Sequence, residues 1–250
     1  MRDTVRIFAK LTAAELRLFL REPMLVFFAV LFPSVLILIL GSIPTFREAS
    51  ADLGGLRVID LYVPIAIALI LAMLALQATP LVLATYRERG VLRRLATTPA
   101  RPVALLGAQL VLSMLTAVVS AVLVLVVARL AFDVRLPAQP GSFVLAFLLS
   151  AAAVFALGLV IAAVVPGGKA ANSVGTLLFF PSMFFAGLWT PREVMPAIIQ
   201  RIGDFTPLGA GERALHDAAT GNWPNPLSAT VLVAYILVFG LAATKLFRWE

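Results

Sequence analysis

The chain has 250 residues, 61% of them hydrophobic and 13% charged, with a formal charge of +7 and no cysteine. Soluble domains carry about 25% charged residues, so this composition excludes an ordinary water-soluble domain. The absence of cysteine excludes a disulfide framework and any Cys-based metal or redox site. The basic residues lie between apolar blocks rather than on one polar face, which points to orientation in a bilayer and argues against nucleic acid.

In Met1–Glu22, Arg6, Lys10, Arg17 and Arg21 share one arc of a helical wheel, and Val5, Phe8, Leu16, Phe19 and Leu20 share the opposite arc. This predicts an amphipathic interfacial helix over 1–22 with its arginines toward headgroups. Glu22-Pro23 ends it, because a residue before proline avoids the α region. The helix serves either as a simple anchor or as a surface that also touches a soluble partner. The segment lacks the short basic start, apolar stretch and small-residue site of a cleavable signal, so a retained N-terminus is expected.

Charge-free stretches follow at Pro23–Phe46, Leu61–Tyr86, Pro102–Ala128, Leu136–Gly168, Ala170–Pro191 and Ala218–Thr244. Each holds the helix of about 20 residues that a hydrocarbon core of about 30 Å requires. Approximate spans are 24–43, 61–85, 102–128, 142–165, 170–189 and 227–246, the fourth beginning near Ser142 after Pro137, Pro140 and Gly141. Uniformly apolar runs lack the alternation of a membrane barrel. The expected fold class is therefore all-α: a polytopic membrane protein with six transmembrane helices in a single domain over 1–250.

Loop charges set its orientation. The segments Met1–Glu22, Arg87–Arg101, Lys169 and the C-terminal tail total +8 and carry 13 Lys or Arg; the alternate loops total −1 and carry 7. Basic residues near span ends stay in the cytoplasm, so both termini are expected there, with the chain in a bacterial cytoplasmic (inner) membrane.

The loop 87–101 carries more pattern than orientation requires. Arg87-Glu88-Arg89-Gly90 is followed by Val91, Leu92 and Leu95 alternating with Arg93 and Arg94, then by Thr98-Pro99. This predicts a short amphipathic helix whose apolar edge packs either on a soluble partner or on the headgroups. Inside the spans the polar residues are neutral, among them Gln77, Thr79, Gln109, Ser113, Thr116, Ser120 and Asn172. Proton-coupled carriers use ionisable relays in the membrane, and none of the six span cores holds one. The small residues Ala156, Gly158, Ala162, Ala171 and Gly175 suit close helix packing. The stretch 204–226 reads as short interfacial helices broken by Pro207, Gly209 and Gly211. His216, the one histidine, has no ligand-spaced companions, and no phosphate-cradling loop or nucleophile–base motif is present.

Three motifs, in order across the six spans, resemble the membrane subunit of an ABC-2 type exporter. Leu20-Arg21-Glu22-Pro23 is similar to the family's start of span one. Arg87-Glu88-Arg89-Gly90-Val91-Leu92-Arg93-Arg94-Leu95 followed by Thr98-Pro99 resembles its Glu-Arg/Lys-Gly-Thr-Leu-Glu-Arg-Leu…Pro signature, with Val91 where Thr is common and Arg93 where Glu or Lys often sits. Phe185-Ala186-Gly187-Leu188-Trp189-Thr190-Pro191, Pro196 and Phe205-Thr206-Pro207-Leu208 resemble its turn after span five.

The resemblance implies a permease, not an enzyme, that moves an amphiphilic drug, lipid or glycan outward. It implies two copies of a separately encoded ABC ATP-binding subunit, which hold ATP and Mg, and a second, identical permease chain. No cofactor is expected on this chain. Arg21, Arg87, Glu88, Gly90, Leu92, Arg94 and Leu95 would couple to the ATPase. Gly187, Pro191, Pro196 and Pro207 would belong to helices dipping back from the outer face. The alternative is a non-transporting membrane assembly or maturation factor.

Overall fold

The computed structural model describes residues 2–50, 53, 55–91, 94 and 102–246. Among the described residues the chain is helical, with no strand beyond one isolated bridge between Ala49 and Arg57. The helices are α1 (Arg2–Leu20), α2 (Pro23–Gly41), α3 (Val58–Glu88), α4 (Pro102–Phe132) and α5 (Pro140–Val164). They continue with α6 (Gly168–Phe185), α7 (Ala197–Asp204), α8 (Pro207–Ala219) and α9 (Pro226–Leu246). Five of them, α2, α3, α4, α5 and α9, are long and apolar enough to cross a membrane. At the place of the expected fifth span, α6 has 18 residues, about 27 Å of helix. Lys169, Asn172 and Ser173 make its first half more polar than the other five.

α3 is the axis of the bundle. Of its most apolar window 83% is buried, against 17% for α9, and it packs on α2, α4, α5, α6 and α8. Ile65, Ile67, Ile70, Leu71 and Leu76 are enclosed on every side. α1 lies along the start of α4, and α9 covers α5 and α8 from outside. Leu237, Val238 and Leu241 of α9 remain exposed, as a lipid-facing helix requires.

Two helices widen where a proline would jam them. A proline ring crowds the carbonyl four residues back and offers no N–H. In α2 a π-helical turn over Phe27–Leu31 precedes Pro33, and in α3 another over Met73–Ala78 precedes Pro80; the looser turns make room for the rings. The second turn is also where neighbours come closest. A Cβ on Gly158 of α5 would collide with the Ala75 carbonyl oxygen, and one on Gly175 of α6 with that of Leu76. In lipid, where apolar surface alone does not drive helices together, such backbone approach holds the bundle.

The bundle has two ends. The lower end gathers α1, the last turn of α3, the start of α4 and the α5–α6 turn. The upper end gathers the segments before α3, between α4 and α5, and from Ala186 to Pro226.

The structure corrects the expectation of broken interfacial helices after residue 204. α8 runs unbroken through Gly209 and Gly211, with Leu208, Ala210, Glu212, Ala214 and Leu215 buried. Pro207 starts this helix rather than breaking it, since N1 needs no N–H donor. The two glycines mark close approach: side chains there would meet the Gly203 carbonyl and Ser150 of α5.

Candidate functional site

At the lower end, three consecutive residues of α3 tie down three other helices. The Tyr86 hydroxyl donates to the Glu15 carboxylate of α1 at 3.0 and 3.1 Å. Arg87 donates to the carbonyls of Ala163 (3.0 Å) and Val165, the final acceptors of α5. Glu88 accepts from the backbone N–H of Gly168 at 2.9 Å, where α6 begins. A cation thus meets the carbonyl end of one helix and an anion the amide end of the next, the arrangement both helix dipoles favour. The turn between them lies tight beneath α3, for a Cβ on Gly167 would stand 2.6 Å from the Glu88 carboxylate.

Glu15 is 7% exposed, and burial raises its carboxyl above the usual range while the Tyr86 hydrogen bond opposes that rise. The inward face of α1 carries Phe8, Leu11, Thr12, Glu15 and Phe19, whereas Leu16 and Leu20 of the expected apolar arc are exposed. α3 then stops at Gly90, whose φ of 67° only glycine adopts without strain.

At the upper end, the segment after α6 folds back in short steps. Gly187 turns the chain with φ 88°, and the Tyr62 hydroxyl of α3 donates to the Leu188 carbonyl at 3.2 Å. Pro191 leads into a 3-10 turn over Arg192–Val194, and Pro196 sets the start of α7. Thr206 caps α8 by accepting from the Gly209 N–H at 3.1 Å. Asp204 receives Arg192 from one side and Arg213 of α8 from the other, the latter at 2.7 Å.

Behind this pair lies Glu212, 3% exposed. Among the described residues, its Oε2 and the Arg192 Nη1 have no hydrogen-bond partner. A polar cavity of about 180 Å³ adjoins them, lined also by Glu193, Gln200, His216 and Asp217. α8 lies between membrane-crossing helices, and there burial pushes Glu212 up to about 8; Glu193 and Asp217 add to the rise, and Arg192 and Arg213 oppose it.

Between the ends, α2, α3 and α6 enclose an open lateral groove of about 950 Å³. Phe28, Phe32, Met73, Phe179 and Trp189 form its walls, with Gln77 and Asn172 as isolated polar groups and Glu22 at the end nearest the start of α2. Its size and few polar points suit an apolar or amphiphilic occupant.

The sequence of residues 7–218 matches the family model described as ABC-2 type transporter. The chain belongs to that family. The match runs from α1 into α8 and so takes in the Tyr86–Glu88 clamp, the groove and most of the upper segment. No curated protein matches the chain in sequence. As an ABC-2 member it is a multi-pass membrane permease component, and membership implies pairing with an ATP-binding subunit.

The motif residues of this ABC-2 subunit fall in distinct places. Half-buried Arg87 and exposed Glu88 bond the α5–α6 turn, and Gly90 ends α3. The Arg94 N–H bonds the Gly90 carbonyl at 3.1 Å. Arg21 is exposed just beyond α1. Leu92 and Leu95 lie outside the described residues. Gly187, Pro191, Pro196 and Pro207 gather at the upper end, far from that group along the α3 axis. Two acidic positions escaped the sequence reading in their roles. Glu15 and Glu212 sit on helix faces shared with Phe8, Leu11, Thr12 and Phe19, or with Leu208 and Leu215. An acid recurring at helical spacing within an apolar face is the signal that finds both.

Proposed function

We propose that this ABC-2 subunit is the membrane half of an ATP-driven exporter that moves an amphiphile out of the cytoplasm. Two copies of a separate ATP-binding subunit supply the energy. The lower end and both termini face the cytoplasm of a bacterial inner membrane, as its excess of basic residues favours. A second, identical chain meets the first across the groove between α2, α3 and α6, so that the cargo path has apolar walls from both copies.

One observation carries this reading. The chain leaves α3 for the coupling loop directly after Arg87 and Glu88, and these two residues hold the ends of α5 and α6. A push on that loop by a closing ATPase therefore reaches three helices together. The loop needs no long lever, because the clamp is the link between partner and spans.

The test starts with the tagged chain purified from native membranes in mild detergent. A stoichiometric ATPase should accompany it, with vanadate-sensitive hydrolysis stimulated by amphiphiles. Glu88→Arg should abolish that stimulation while the chain still inserts. A folded chain that brings down no ATPase would replace this reading with that of an assembly factor.

A further inference from the structure

A second cavity, of about 640 Å³, opens at the upper end on the side away from the groove. The start of α3, the segment joining α4 to α5, and the last turn of α8 enclose it. Its floor is apolar: Leu61 and Pro64 of α3, Leu125 of α4, Val134, and Phe143 of α5. Leu125 lies seven residues before the end of α4, so the floor reaches about 10 Å below the helix ends. Charged groups occur only toward the rim, at Arg57, Asp60, Asp133, Arg135 and His216.

Most of these rim charges are already engaged. Arg57 donates to both carboxylate oxygens of Asp60, at 2.8 and 2.7 Å, and to the Phe132 carbonyl at 3.1 Å. Asp133 pairs with Arg129 at 2.6 Å. Arg135 is exposed and has no ion pair among the described residues, and half-buried His216 lines the same cavity from α8. The charge left for a ligand is therefore positive and peripheral, above an apolar shaft. An ion alone would leave that shaft unfilled, and an uncharged hydrocarbon would ignore the rim. Among the described residues no acidic or histidine cluster suits a metal.

We infer that this cavity is a binding site for a phosphate-bearing amphiphile of the adjacent leaflet, its headgroup on Arg135 and His216 and its apolar tail over Leu61, Pro64 and Phe143. The volume lies within the range of about 300–1,000 Å³ typical of small-molecule sites. The rim stands level with the ends of α3, α4 and α5, where headgroups lie and where an arginine meets phosphate. This site is separate from the groove and does not rest on the export reading, since occupancy needs neither ATP nor a partner.

The experiment uses the full chain in an uncharged maltoside detergent and an acyl-labelled lysophosphatidylglycerol, followed by fluorescence anisotropy. Arg135→Glu removes the headgroup contact. Ala138→Trp, at an exposed lining position in the α4–α5 segment, adds bulk at the cavity mouth. Each should weaken binding about tenfold. Arg201→Glu, the same charge change elsewhere on the upper end, should stay within about twofold of the unmodified chain. Millimolar inorganic phosphate at constant ionic strength should not displace the probe. Equal binding by the unmodified chain and both cavity variants would overturn the proposal, since the probe would then sit in the detergent belt or the groove. Full displacement by phosphate would overturn it as well, leaving a free-anion site with no role for the shaft.

Discussion

The two ends of the bundle use charge in opposite ways: half-buried to exposed below, buried above. At the lower end, Arg87 and Glu88 each meet a helix terminus whose dipole they complement. At the upper end, Asp204 is shared by two arginines while one oxygen of Glu212 and one nitrogen of Arg192 lack partners among the described residues. A satisfied network specifies one arrangement; a partly satisfied one carries a desolvation cost that another arrangement can relieve. On the proposed export reading, the satisfied lower end fits a coupling clamp and the partly satisfied upper end fits an exit cap that rearranges.

The strongest way to break this contrast is to reverse the clamp. Glu88→Arg sets a cation against the amide end of α6 and beside Arg87. Loss of a charge-assisted hydrogen bond plus an inverted dipole interaction should cost about 3 kcal/mol, read as a lower midpoint of thermal unfolding in detergent. Glu88→Gln keeps an acceptor for the Gly168 N–H and should cost about 1 kcal/mol. Equal midpoints for the two variants would show that the clamp holds no charge-dependent link.

Next in size is the pH response of the upper end. Glu212 has its folded value raised from 4.5 to about 8. Stability is then fully present below about 4.5 and is lost as pH rises from there through about 8, because the unfolded chain releases this proton first. Glu212→Gln removes the loss and should stabilise the protein on the order of 2 kcal/mol at pH 8, with little change at pH 4. Parallel pH profiles for the variant and the unmodified chain would mean that Glu212 is already ionised, and the upper end as settled as the lower.

Much of the bundle was legible because long charge-free runs have few alternatives in a bilayer. What escaped depended on partners distant in sequence. Arg87 and Glu88 stood out as a motif, yet nothing near them names the α5–α6 turn some 80 residues on. The closest clue is Pro166-Gly167-Gly168, a turn small enough to lie beneath a carboxylate. In α8 the error ran the other way. Pro207, Gly209 and Gly211 are breakers by local preference, but packing against Gly203 and Ser150 outweighs the roughly 1 kcal/mol that each helical glycine costs. The π-helical turns left only Pro33 and Pro80 as traces, and a proline does not say whether a helix kinks or widens.

The smallest effects compare the ends at single backbone positions. Thr206→Ala removes the side chain that caps α8 and should cost about 1 kcal/mol. If the upper end rearranges as proposed, part of that loss is recovered, and the measured value falls toward the low end of the capping range; a full-range cost would show it as settled as the lower end. Gly90→Ala should also cost about 1 kcal/mol, for a different reason: a built Cβ meets nothing within 4 Å, so only the left-handed backbone is penalised. That cost has no means of relief while Arg87 and Glu88 hold the preceding turn in place. Combining Gly90→Ala with Glu88→Gln tests the point directly. If the clamp fixes the turn, loosening it lets the backbone relax, and the double variant is less destabilised than the sum of the two. Strict additivity would show that the strain at Gly90 is independent of the clamp.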